Sequence, residues 1–73
     1  MKIIKRKLIN PGDIFVVIDS KNKYQIISKD IKGNNIIYTY QKMKNDSELH
    51  PYRFECTEEH MKNIIRMKII EFI

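Results

Sequence analysis

The stretch "YQIISKDIKGNNIIYTYQKM", residues 24–43, restricts the fold more than any other part of the chain. β-Branched and aromatic residues fill both sides of Lys32-Gly33-Asn34-Asn35, and such side chains crowd a helix but pack well on a pleated surface. Glycine and asparagine tolerate the positive φ that a tight hairpin demands. Two antiparallel strands are therefore expected, Tyr24–Ile31 and Asn35–Met43. In the second, Ile36, Tyr38, Tyr40 and Lys42 share one face, and Ile37, Thr39, Gln41 and Met43 share the other. The second set would make a poor core. A chain with three phenylalanines and no tryptophan needs the tyrosine rings for volume, so Tyr38 and Tyr40 are expected inside, with Lys42 snorkelling at the strand's end.

Other segments extend this pattern. "NPGD", Asn10–Asp13, is a turn signal, because Pro11 presets φ and Gly12 accepts the positive φ of a type II turn. "DIFVVI" follows, apolar on both faces, as in a strand buried on both sides or at a barrel seam. "DSKNK" breaks it. After Met43 the polar run Lys44–Pro51 reads as a loop with an exposed Leu49. "YRFEC", Tyr52–Cys56, then puts Tyr52, Phe54 and Cys56 on one face and Arg53 and Glu55 on the other. Thr57 has the chemistry of an N-cap, and Glu58 and Glu59 suit the positive end of a helix dipole. The final "IIRMKIIEFI" has two readings. One helix to about residue 71 would align Met61, Ile64, Ile65, Ile69 and Phe72. A short helix to about Ile65, followed by a closing strand, suits five isoleucines from Ile64 onward, and that reading is preferred.

Composition agrees. Isoleucine occurs fifteen times and alanine never, so the chain lacks its best helix former. Ile, Lys and Asn occupy 32 of 73 positions, a bias of AT-rich coding sequences. A chain of this length is one domain, residues 1–73, which buries only about 60–65% of its extended surface. Its single cysteine, Cys56, cannot close an intramolecular disulfide and fits a reducing compartment. The longest uncharged apolar run, Ile14–Ile18, falls far short of the roughly 20 residues of a membrane span. The basic start has no apolar segment of a signal peptide behind it. A cytoplasmic protein with no membrane association is expected.

Short antiparallel strands in so small a chain point to a mainly β barrel with one short helix near the C-terminus, since closure removes aggregation-prone edges. The alternative is an α+β fold with a longer C-terminal helix. The series "PGDIF", "YQIIS", "GNNIIYTY" and "FECTEEHM", spread over residues 10–72, resembles the small SH3-like barrel proteins of phages and mobile elements. That resemblance implies a non-enzymatic accessory protein that binds a host or defence protein and blocks or modulates it. It transfers no functional residues.

The residues themselves offer several chemistries. Cys56 and His60 are four apart at a helix start, where a thiolate is favoured, yet Cys56 shares a face with Tyr52 and Phe54 and reads as a small buried residue. Neither catalytic residues, nor a metal site, nor a cofactor is assigned: there is no CxxC, and both glycines fit turns. Nucleic-acid binding is the alternative function. The net charge is +5, with Lys2, Lys5, Arg6 and Lys7 clustered at the start. Together with Lys42 and Arg53 they could meet phosphates while Tyr24, Tyr38, Tyr40 and Tyr52 stack on bases. Protein binding would instead use the greasy end of the chain, Ile70, Phe72 and Ile73, to hold a partner or form a homodimer.

Overall fold

A computed structural model describes residues 8–73; Lys2, Lys5, Arg6 and Lys7 lie outside the described residues. The predicted hairpin is present as β2 (Lys23–Lys32) and β3 (Asn35–Met43). Gly33 takes φ 62° in the turn. The pair holds register from Lys32↔Asn35 to Tyr24↔Lys42, with a bulge between Ile26 and Ser28 that leaves Ile27 unpaired. A bulge of this kind bends a long hairpin and increases its twist.

Three more strands extend the hairpin. β1 (Ile14–Val17) lies antiparallel beside β2, with Phe15 opposite Tyr24. Its start is set by the Asn10–Asp13 turn, where Gly12 adopts φ 97° and donates its N–H to Ile26 O at 2.8 Å. β4 (Leu49–Thr57) pairs with β3, and β5 (Ile70–Phe72) returns beside β1. The order across the sheet is β4-β3-β2-β1-β5. The fold is thus mainly β and antiparallel, with one short helix near the C-terminus, α1 (Glu58–Arg66). Closure of the expected barrel is the point of difference: β4 and β5 do not pair, and among the described residues the sheet stays open at both edges.

One face of the sheet carries the core. Phe15, Ile26, Tyr38 and Ile70 are buried there, with Met61 of α1 laid over them and Ile9 of the entering chain beside them. Tyr40, Tyr24, Phe72, Cys56 and Ile64 pack partly buried around this centre. Both tyrosines of β3 therefore point inward. Phe15 lies at the middle of an aromatic cluster, 5.4 Å from Tyr24 and 5.5 Å from both Tyr40 and Phe72. Tyr40 in turn stacks on Phe54 at 5.5 Å. On the opposite face Thr39 is the one buried polar residue of the described chain.

α1 starts as its sequence predicts. The Thr57 hydroxyl accepts from the N–H of His60 at 3.1 Å, and Glu58 and Glu59 occupy the first turn. Its end is a Schellman motif: Ile69 N–H donates to Ile64 O at 2.9 Å and Lys68 N–H to Ile65 O at 3.0 Å. Lys68 takes the left-handed conformation, φ 58°, that glycine usually occupies here. No described helix is long and apolar enough to cross a membrane.

Candidate interaction surface

Of the residues proposed for protein binding, Ile70 is buried in the core, and Phe72 is half-buried against Phe15. Ile70 therefore offers almost no surface to a partner, and Phe72 only part of its ring. Ile73 is exposed at the far end of β5, its N–H donating to Ile14 O at 2.9 Å. The exposed apolar surface lies just before β5 instead. Ile65 in the last turn of α1 is 37% exposed, and Met67 and Ile69 on the connection to β5 are 66% and 42% exposed. The two Schellman bonds fix the backbone path of this segment, from which the three side chains project. Lys62, Arg66 and Lys68 lie exposed around it. Arg66 is held by a 2.6 Å bond from its guanidinium to Asn63 Oδ1. Sequence reading missed the trio because helix and strand periods overlap in residues 64–73, and no glycine marks where one gives way to the other.

The stacking platform breaks up when its members are located. Tyr38 is buried, its hydroxyl donating to Glu58 Oε2 at 3.3 Å and Lys29 Nζ lying 5.9 Å above its ring. Burial, and then the Glu58 carboxylate beside it, pushes the Tyr38 phenol above its ordinary value. Burial likewise raises Tyr40, with Cys56 and Tyr24 adding to it. Tyr24 spends one ring face on Phe15 and meets Tyr40 and Phe54 edge-on. Lys42 sits half-buried opposite Tyr24. Tyr52 and Arg53 remain exposed, next to each other on β4 where its register with β3 shifts between Gln41 and Met43. Phe54, which the nucleic-acid reading did not include, is 44% exposed beside Tyr40.

Cys56 lies opposite Tyr38 on the core face and is half-buried. Burial pushes its thiol up, the reverse of what an activated nucleophile requires. Two open depressions, about 220 and 270 Å³, are lined around Gly12 and Met43 and around Asn35 and Glu58; neither includes Cys56, His50 or His60. Among the described residues no three His, Cys, Asp or Glu side chains gather as a metal would require. No family model, no curated protein and no solved structure matches the chain.

Proposed function

We propose that this protein is a non-enzymatic binding module that docks on another protein through the apolar turn Ile65–Met67–Ile69 and acts by occluding it. The observation that carries the reading is the exposure of three large apolar side chains on one hydrogen-bonded turn. A surface anchor held rigid before binding loses little conformational entropy on association, and apolar anchors ringed by charge are the usual anatomy of a protein interface. The basic rim of Lys62, Arg66 and Lys68 would steer an acidic partner and set its orientation. A host or defence protein as the target, and a phage or mobile element as the setting, are supported by the resemblance to small SH3-like proteins and by the Ile/Lys/Asn-rich composition.

Nucleic-acid binding is the second reading, favoured by the exposed Tyr52 and Arg53 and by the net charge of +5. It has fewer rings than the sequence offered, because Tyr38 is buried and Tyr24 and Tyr40 are engaged with other rings.

A tagged-protein pull-down with nuclease treatment separates the two, run beside a Met67→Asp variant whose circular dichroism and melting temperature match the parent. A partner protein that survives nuclease and is lost with Met67→Asp is the expected result. Recovery of nucleic acid alone, or a partner indifferent to Met67→Asp, would overturn the reading.

A further inference from the structure

We propose that β4 is a self-association edge: two copies pair their β4 strands antiparallel about Phe54 and form a two-fold dimer. The inference goes beyond the proposed function and uses a different surface, since the apolar turn leads into β5 at the other edge of the sheet.

Three features of β4 point to a second copy. The first is its unused edge. β4 is nine residues long and pairs only with β3 among the described residues, so one row of its backbone donors and acceptors has no strand beside it. The second is uncovered aromatic surface. Tyr52 and Phe54 are 73% and 44% exposed, although Phe54 and Cys56 lie on the core face opposite Tyr40 and Tyr38. A second β4 would extend that face and lay its own Phe54 against this one.

The third is charge. Proteins commonly guard an exposed edge with charged residues and proline, and Pro51, Arg53 and Glu55 could be read that way. The arrangement of the charges argues otherwise. Arg53 and Glu55 flank Phe54 symmetrically and share the face away from the core, opposite Gln41 and Thr39. With a two-fold axis through Phe54, Arg53 faces Glu55 of the second copy and Glu55 faces its Arg53, while Tyr52 faces its Cys56. Centring the pair on Arg53 or on Glu55 instead would set like charges against each other, so charge favours the register about Phe54 over the two adjacent ones. Pro51 has no N–H to donate and ends the new ladder, which leaves Tyr52–Cys56 as the paired segment. The dimer is isologous, and the two five-stranded sheets become one continuous sheet.

Charge reversal tests this with the full chain, by sedimentation equilibrium over a concentration series. The parent should approach twice the monomer mass. Arg53→Glu alone and Glu55→Arg alone each set like charges across both symmetric pairs, so each should dimerise about tenfold more weakly or worse. Both positions are exposed, and unchanged circular dichroism would show both variants folded. An equimolar mixture of the two should recover the dimer, because one copy then carries acids at both positions and the other arginines at both. The Arg53→Glu/Glu55→Arg double variant should also dimerise. A parent that stays monomeric at every concentration, a dimer indifferent to the single reversals, or a mixture that fails to associate would each overturn the proposal.

Discussion

Tyr38 shows how one residue can join core, helix and sheet. Its ring fills the centre of the buried face, and its hydroxyl reaches Glu58 in the first turn of α1. Glu58 also pairs with Lys62 at 3.2 Å, though such an exposed i,i+4 pair contributes little by itself. Tyr38, Tyr40 and Cys56 all titrate above their ordinary values of 10.0, 10.0 and 9.0. A group raised in the folded state keeps its proton while the unfolded chain has already lost it. Their contribution to stability is therefore complete below about pH 9 and declines as pH rises through and beyond 10. Thermal melts at stepped pH should show this alkaline decline, and Tyr40→Phe should make it shallower. A melting temperature constant up to pH 11 would contradict the assigned burial. Met61, wholly buried on the inner face of α1, should cost about 2–5 kcal/mol as Met61→Ala in urea unfolding.

At the scale of elements, the two ends of α1 make opposite predictions. Thr57→Ala removes the cap accepting from His60 and should cost about 1 kcal/mol. Lys68→Gly relieves a left-handed lysine and should stabilise by up to about 1 kcal/mol. Chemical denaturation of the two variants checks both signs. These ends also show why some elements could be read in the sequence and others could not. β3 is bounded by a Gly-Asn turn and a polar run, so its limits agree with the expected Asn35–Met43. The start of α1 carries a recognisable cap and acidic first turn. Its stop carries no glycine, so the handover to β5 was ambiguous and the exposed turn went unseen. β4 begins at Leu49, inside the expected loop. There Asn45 Oδ1 accepts from the N–H groups of Ser47 and Glu48 at 2.9 Å and tightens the reversal, and the Gln41 side chain donates to His50 O at 2.8 Å. Those are tertiary and side-chain bonds that hydropathy alternation does not report.

For the molecule as a whole, burial and exposure divide the C-terminal segment into parts with different consequences. Ile70→Asp places a carboxylate in the core and should unfold the domain, whereas Met67→Asp changes an exposed side chain and should leave the melting temperature nearly unchanged. Comparing their melts separates loss of fold from loss of binding, which the sequence alone could not do because both residues lie in one apolar run. The inward turn of Tyr38 and Tyr40 was legible from the poor core their opposite face would make. The open sheet was not, because strand patterning does not state whether the first and last edges meet. If the apolar side chains of Ile65, Met67 and Ile69 hold a protein partner, the captured partner should be retained as salt is raised. Apolar docking predicts binding that weakens only slightly across the physiological range and above. A steep, log-linear loss of affinity with salt, the signature of counterion release from phosphates, would contradict it and move the functional surface to the basic residues.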